Sequence, residues 1–596
     1  MSAPPAILVL RASGHATGRR LHALLPGATL HGPAAPDGFA AELRARFAAG
    51  QPVVAVCAAG IVIRLLAPHL ADKDAEPPVV ALAEDGSVAV PLLGGHRGAN
   101  RLARRVAEAL GGVAAITTAG DLQLGVALDE PPPGWRVRNP AVAKRITAAL
   151  LDGRPVALRI EAGGPGWLTA GNVSFAEDAE LQILVTDRDA PGSADCLVVH
   201  PEVLALGVGC ERGVAAEELI ALVETTLAAR GLAREALACV VSIDLKCAEP
   251  AVHALAGHLG RPARFFAAEV LEAEAPRLAS PSLLVFEATG CHGVAEGAAL
   301  AAVGPAGALI VPKTKSTRAT CALARAPAPL DPARIGRPQG ELAIVGIGPG
   351  TAAWRTPEAS ALLDRAEDWV GYRGYLDLLD PPRAGCVRHP FALGEEEARV
   401  RHALDLAAAG HRVALISSGD PGIYAMAALA FELLERDGRP DWQRVAVTVS
   451  PGISALQAAA ARAGAPLGHD FCAISLSDLL TPWPEIERRL MAAAEGDFVT
   501  ALYNPASGRR RQQLGRALAI LAERRPPATP LIHARNLGRA GESVEVHRLH
   551  AFAPDAVDML SLLIVGSSRT RLVPRRHGRP LVYTPRGYLL GGGSTG

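Results

Sequence analysis

The chain has 596 residues with 60 Lys and Arg against 60 Asp and Glu, so it is too long for one hydrophobic core and carries no net field toward nucleic acid or a membrane surface. Aromatic residues are only 4%, too few for base-stacking platforms, and the nine cysteines contain no C-x-x-C, which argues against a disulfide framework or a cysteine zinc site and for reduced thiols in a cytoplasmic protein. No basic segment precedes the first apolar run, and no apolar stretch reaches the ~18 residues of a span, so neither a signal peptide nor a membrane segment is expected.

In chain order, strand-like runs at Ile7–Leu10, Val53–Cys57, Val79–Ala83 and Val113–Thr117 alternate with helix-like segments such as Phe39–Ala49, terminated by Gly50. This predicts an α/β domain over residues 1–130. Within it, Leu92–Gly112 is a glycine-rich turn feeding an amphipathic helix with Leu102, Val106, Ala109 and Leu110 on one side. A helix opening at Ala99 or Asn100 would aim its free N–H groups at the turn, where His96, Arg97 and Arg101 crowd. That suits an anion; a tight turn with solvated charges accounts for the same residues. The proline-dense Asp129–Pro140 marks a boundary, and residues 131–197 form an intermediate domain with no assignable chemistry.

Residues 198–326 read as another α/β domain: a strand at Leu204–Val208, a turn, and a helix at Ala215–Arg230 stopped by Gly231. Arg212, Lys246, Lys313, Lys315 and Arg318 are expected to gather where strands end, a basic cluster suited to a polycarboxylate. GGHRGAN and IVIRLLAP in the first domain, with SIDLKCAEP, FEATGCHGVAEGAAL and VPKTKSTRATCAL in this one, resemble cobalt-precorrin-5A hydrolase (CbiG/CobE-like). The resemblance implies opening of a ring A lactone with release of acetaldehyde. His96, Glu287 and His292 are the candidates for activating water, and Arg97, Asn100, Lys246, Lys313 and Lys315 for holding substrate.

Arg325–Gly340 has no apolar period, and residues 327–340 read as a linker. Beyond it come three short apolar strands, each running into a Gly/Pro turn: GELAIVGIGPG (Gly340–Gly350), LISSGDPG (Leu415–Gly422) and SPGISA (Ser450–Ala455). Three such turns can converge at one edge of a parallel sheet. The first is not a dinucleotide fingerprint, because Pro349 removes an N–H and pushes Gly348 away from the helical region. The helix is delayed to Thr356-Pro357-Glu358, read as N-cap, N1 proline and acidic first turn, and extends over Glu358–Val370 with Trp369 in the core. A ligand without phosphate fits this better. A further helix is expected over Ile423–Glu435, later strands at Phe498–Tyr503, Leu531–Ala534 and Leu562–Val565, and disorder in the tail GGGSTG.

VGIGPG, SSGDPGIYAMA, SPGISALQAAAARAGAPLGHDF, ALYNPASGRR and HARNLGRAGE, in that order, resemble the tetrapyrrole methyltransferases of cobalamin biosynthesis, above all precorrin-3B C-17 methyltransferase. The expected fold is thus multidomain α/β: hydrolase-like domains followed by a two-subdomain class III methyltransferase over 341–455 and 456–590. The resemblance implies S-adenosyl-L-methionine bound between the subdomains, a precorrin or cobalt-precorrin substrate, and a homodimer through the methyltransferase half. Cofactor contacts are placed at Gly348, Pro349, Gly350, Gly419, Asp420, Ile423, Ser454, Ala455, Tyr503, Asn504, Asn536 and Gly541.

Methylation of C-17 in this family accompanies ring contraction, which needs proton transfers; His533, Glu542 and His389 are the candidates, with Arg535 and Arg539 toward substrate carboxylates. Asp420 also reads as an Asx-turn residue, and His533 as a strand-end histidine satisfied by backbone. Ser454 lies outside any G-x-S-x-G. No His/Cys/carboxylate cluster has metal-ligand spacing, so no resident metal is expected and cobalt would belong to the substrate.

Overall fold

The computed structural model describes residues 4–587 except 26, 33–35, 72–75, 119–122, 383–384, 507–511 and 577–578. The tail GGGSTG and the last residues of ALYNPASGRR therefore lie outside the described residues.

Three sheets build the N-terminal half. The first has six strands in the order Thr29–His31, Ala6–Val9, Val53–Val56, Val79–Leu82, Val88–Leu93, Val113–Ala114. The second has four, ordered Trp135–Val137, Cys196–Pro201, Leu181–Val185, Val156–Ile160. Cys196–Pro201 thus runs past the boundary expected at residue 197. The apolar run Cys196–Cys210 is interrupted only at His200-Pro201-Glu202, and the sequence pattern does not say which sheet its first half joins. The third sheet is ordered Ala263–Phe266, Leu237–Ile243, Leu204–Cys210, Ala319–Arg325, Ala308–Lys315, with its first three strands parallel. The helix Ala216–Arg230 packs on it and is closed by left-handed Gly231 at φ 58°.

The segment 327–340 is tied down along its course. Arg337 exchanges both main-chain hydrogen bonds with Phe265, pairs with Asp244 at 2.9 Å and donates to Ala408 O, while Gln339 donates to Arg444 O. Though it lacks an apolar period, it is held by main chain, by Arg337 and by Ile335 and Leu330, which pack into the core of the third sheet. This fixes the third sheet against the C-terminal half.

That half opens with a five-stranded, all-parallel sheet ordered Val387–Phe391, Asp368–Tyr372, Arg412–Ser417, Glu341–Gly346, Ala446–Ser450. Glu341–Gly346 is buried on both faces: Leu342 and Ile344 pack with Val400, Leu404, Leu433 and Trp442, and Ala343 and Val345 with Leu363, Trp369 and Leu376. The helix after the first turn covers Pro357–Arg365 only. Ala366 is already extended, and Trp369, 5% exposed, belongs to the strand Asp368–Tyr372. The core assignment of Trp369 holds, but its helical setting does not.

The second sheet of this half is ordered Phe471–Ser475, Val499–Tyr503, Ser561–Val565, Pro530–Arg535, Ser543–Arg548. Its two faces bury different layers. Ile532, Ala534, Leu562 and Ile564 face the helix Ala455–Ala463, and Leu531, Leu563 and Val565 face the helices Trp483–Glu495 and Gln512–Ala522.

Candidate functional site

The strands Arg412–Ser417 and Ala446–Ser450 flank Glu341–Gly346 in parallel, so their three following turns meet at one sheet edge. They are joined main chain to main chain. Gly348 N donates to Gly419 O at 3.3 Å and Gly419 N to Gly348 O at 2.9 Å. Asp420 fixes the other two turns together: Oδ1 accepts from Gly422 N at 2.8 Å and Oδ2 from Gly452 N at 3.2 Å. Asp420 is thus an Asx-turn residue and also a tie between turns, with its carboxylate half-exposed at the edge.

The glycines are required by this turn-on-turn packing. A Cβ on Gly452 would lie 2.1 Å from Gly419 O, one on Gly348, at φ +74°, 2.6 Å from Trp354 O, and one on Gly350 2.0 Å from Gly538 O. Gly348, Pro349 and Gly350 are buried. The bend expected to face a ligand directly is therefore the floor of the junction, covered by the 536–541 loop.

The helix after the first turn starts as the sequence predicts: Thr356 Oγ1 accepts from Ala359 N at 3.1 Å, with Pro357 following. The third turn ends in a capping box, in which Ser454 Oγ accepts from Gln457 N and Gln457 Oε1 from Ser454 N. Ser454 is 2% exposed, and its hydroxyl serves as the cap of the helix Ala455–Ala463. Ile423 precedes the next helix instead of opening it. That helix spans Met426–Asp437, because Tyr424 sits in the left-handed region at φ 51° and breaks the chain direction. Ile423 and Tyr424 are exposed at the mouth of the junction.

The second subdomain supplies the opposing wall. Tyr503 accepts from Leu456 N at 3.1 Å, its ring is 5.2 Å from that of Tyr424, and the Tyr424 hydroxyl donates to Ala473 O. Burial pushes both phenols up, so both stay protonated at neutral pH. Asn504 and Asn536 are held at φ 48° and 51°, and Asn504 donates to Ser475 Oγ. Three of the four non-glycine residues described at positive φ, Tyr424, Asn504 and Asn536, thus border this junction. Gly541, at φ +77°, lies beside Asn536.

Several expected site residues are held elsewhere. His533 points to the face away from the helix Ala455–Ala463, toward Phe552, with Nε2 3.0 Å from Ser561 Oγ; strand alternation decides this. Arg535 shares that face and pairs with Asp558 at 2.7 Å. Neither reaches the junction, so the acid/base role for His533 and the substrate role for Arg535 are not supported. Glu542 clasps its own loop, accepting from Gly538 N and Arg462 Nε, both at 2.7 Å. The Gly538 N–H, with Arg462, holds its carboxyl below the usual range, the wrong direction for a proton donor. His389 lies toward the N-terminal ends of the strands, with Nε2 2.8 Å from Asp368 and Nδ1 2.9 Å from His402. Arg539 faces the protein rather than a free carboxylate: Nε donates to Pro349 O and Nη2 to Ser418 Oγ. Isolated arginines carry no spacing signal, and sequence reading missed both this clamp and Arg462, stacked 4.6 Å from the Trp354 ring.

In the N-terminal half the helix Ala99–Leu110 opens after left-handed Gly98, as expected. Asn100, 5% exposed, turns inward and donates to Thr118, and Arg101 pairs with Glu130 at 3.0 Å, which favours the tight-turn reading. Arg97 is exposed, and the His96 side chain lies outside the described residues. In the third sheet Lys246 pairs with Glu249 at 3.1 Å, Arg318 with Glu211, and Lys313 donates to Ser280 O; Lys315 is exposed. Lys246 and Arg318 of this basic edge are thus compensated by neighbouring acids. Glu287 is exposed on a short helix. His292 stacks on Phe286 at 4.5 Å and holds Glu272 at 2.9 Å, an orienting carboxylate that sequence separation concealed.

The C-terminal half is thus a two-subdomain α/β unit in which the strand-end turns of the first subdomain meet the 536–541 loop of the second. Residues 341–553 match the family model for Tetrapyrrole (Corrin/Porphyrin) Methylases. The chain is 46% identical over 249 residues to the Precorrin-3B C(17)-methyltransferase of Sinorhizobium sp., covering 97% of that protein and 42% of this one. It is 45% identical over 249 residues to the Probable cobalt-factor III C(17)-methyltransferase of Salmonella typhimurium, covering all of that protein and 42% of this one. The crystal structure of the methyltransferase CobJ aligns at 43% identity with a TM-score of 0.39, over 41% of this chain and all of that one. The chain belongs to the tetrapyrrole methylase family and is a methyltransferase. Residues 41–121, 132–201 and 204–324 match the models for Cobalamin synthesis G N-terminal, Cobalamin biosynthesis central region and Cobalamin synthesis G C-terminus. The chain is therefore a fusion of cobalamin-synthesis modules with a methylase. Among the described residues no helix is long and apolar enough to cross a membrane.

Proposed function

We propose that the C-terminal half methylates C-17 of precorrin-3B or its cobalt form from S-adenosyl-L-methionine, with ring contraction. The carrying observation is Asp420, a carboxylate fixed by two main-chain N–H groups where three turns and the 536–541 loop meet. Such a fixed negative group suits a ligand bearing sulfonium and ammonium charges and opposes a diphosphate. Asp420, Gly419, Ile423, Ala455, Tyr503, Asn504, Asn536 and Gly541 would hold that ligand, with Gly348, Pro349 and Gly350 as the floor. When bound it supplies an electrophilic methyl group. The chain's contribution is alignment: main-chain groups and tyrosine rings at the junction orient donor and acceptor and exclude water, an effect worth several kcal/mol. The C(17) assignments of the Sinorhizobium and Salmonella relatives support C-17 as the position.

For the N-terminal half the reading is opening of a corrinoid lactone with release of acetaldehyde, supported by the match to cobalamin-synthesis models and by the His292–Glu272 pair. Glu272 would orient His292, and His292 would take the proton of an attacking water. Lys246, Lys313 and Lys315 remain the groups toward substrate carboxylates, and the methyltransferase half is the proposed homodimer contact.

The test uses the full chain. Titration with S-adenosylhomocysteine should show one site per methyltransferase half, and turnover on precorrin-3B should give a C-17 methyl by mass spectrometry and NMR. A methyl at another carbon, such as C-11, overturns the regiochemistry. Acetaldehyde formed from the lactone substrate and lost in His292→Gln supports the second activity. Its absence from the unmodified chain makes the N-terminal half a non-catalytic corrinoid-binding module.

A further inference from the structure

We propose that His533, Glu545 and His547 form a binding site for one first-row divalent transition metal ion of zinc type, on the hairpin whose connection is the 536–541 loop. Pro530–Arg535 and Ser543–Arg548 pair antiparallel with His533 directly opposite Glu545, and His547 two residues further along the same strand. Alternation puts all three on one face. Their ligand atoms, one imidazole nitrogen from each histidine and one carboxylate oxygen, all lie within 4.8 Å of one another. A tetrahedral ion with bonds of about 2.0–2.2 Å needs its ligands closer than that. Glu545 and His547, with 61% and 33% of their side chains exposed at the open edge, have the freedom to close in.

The surroundings fit a metal better than a second hydrogen-bonding partner. Phe552 walls the site, with its ring 5.8 Å from His533 and 5.1 Å from His547. Behind His533, Nε2 lies 3.0 Å from Ser561 Oγ, which donates to Asp558 Oδ1 at 2.8 Å, and Asp558 is itself held by Arg535. A histidine ligand whose other ring nitrogen is fixed by a hydroxyl and a carboxylate is the usual supporting arrangement of a metal site. Two imidazoles with one carboxylate select zinc-type ions over magnesium or calcium, which need a shell of oxygens, and leave a coordination position open. His547 Nε2 is 3.2 Å from Glu545 Oε2, so binding replaces a proton shared by that pair. Strand pairing, not short spacing, assembles the set, so no metal-ligand motif marks it along the chain. The ion would brace both strands that carry Asn536, Arg539 and Gly541 at their connection.

The experiment is calorimetric titration of the full chain, stripped with chelator and freed of any affinity tag, with zinc chloride and separately with magnesium chloride. One equivalent of zinc should bind and magnesium should not compete. Glu545→Gln combined with His547→Ala should weaken zinc binding at least tenfold, with the circular dichroism spectrum unchanged. Cobalt(II) used as a spectroscopic probe should show tetrahedral absorption in the unmodified chain and lose it in the double variant. Zinc bound equally well by the double variant, or not bound by the unmodified chain, overturns the proposal.

Discussion

Arg539 Nε donates to Pro349 O at 2.8 Å, so a residue of the second subdomain closes over the proline that interrupts the first turn of the other. Its Nη2 reaches Ser418 Oγ in the second turn at 2.8 Å. One guanidinium thus holds two turns and the opposing loop in register. Arg539→Lys keeps the charge but cannot make both bonds, and Arg539→Ala makes neither. Arg539→Ala is expected to destabilise the chain by about 1.5–3 kcal/mol in urea unfolding and to weaken S-adenosylhomocysteine binding; Arg539→Lys should fall between. Unchanged affinity in Arg539→Ala would separate the clamp from the cleft.

Gly348 and Gly438 both lie at positive φ, 74° and 56°, yet only Gly348 is enclosed. A Cβ there meets Trp354 O at 2.6 Å, whereas nothing lies within 4 Å of one on Gly438. Gly438→Ala should therefore show the left-handed penalty alone, about 1–2 kcal/mol, and Gly348→Ala that penalty plus displacement of main chain. Thermal melts of the two variants measure the difference. Equal losses would show that the first turn has room to yield.

Ser454 is a residue whose chemistry was legible but whose task was not. Because its hydroxyl caps the helix Ala455–Ala463, Ser454→Ala should cost about 1 kcal/mol of stability. Turnover per folded molecule should be nearly unchanged, and Ser454→Asp, which retains a capping oxygen, should recover most of the loss. Weaker S-adenosylhomocysteine binding without a fall in stability would return the hydroxyl to the cofactor contacts.

Glu542 sets an acid limit on the 536–541 loop. Its carboxyl is held low by Gly538 N–H and Arg462, so the folded state binds its proton less readily than the unfolded chain does. The contribution is fully present above the unfolded value, about 4.3, and is lost as pH falls from there through the lower folded value. Stability against pH should therefore drop through this acid window, and Glu542→Gln should flatten that part of the curve. A parallel curve in Glu542→Gln would show that the clasp contributes nothing.

How far the sequence could be read follows from the range of each interaction. Thr356 with Pro357, Gly231 closing its helix, and the three apolar strands before glycine turns are local signals, and the structure carries all of them. The face on which His533 lies was not legible, because a strand's facing depends on register with its neighbours, which one strand does not encode. Trp369 kept its burial but changed element, since a short apolar run serves helix and strand alike. Tyr424 delays the start of a helix pattern through a backbone conformation that tyrosine gives no reason to expect. Arg539, Arg462 and Glu272 act across long separations and carry no motif at all.

Arg525 offers the sharpest test of what holds the second subdomain together. Its side chain is fully buried, and its guanidinium donates to Gly566 O, Ala494 O, Ala493 O and Phe498 O, with Asp497 at 2.9 Å. It thus ties the end of the helix Trp483–Glu495 to the entry of the strand Val499–Tyr503, which carries Tyr503 to the junction. Arg525→Met fills similar volume but strands these carbonyls and leaves Asp497 without its buried cation. The expected loss is about 3–5 kcal/mol, larger than for any surface ion pair here. Arg525→Lys, a point charge that cannot serve so many acceptors, should recover only part of it. Chemical denaturation followed by tryptophan fluorescence measures both, and a loss in Arg525→Met under about 1 kcal/mol would show that the carbonyls find water instead.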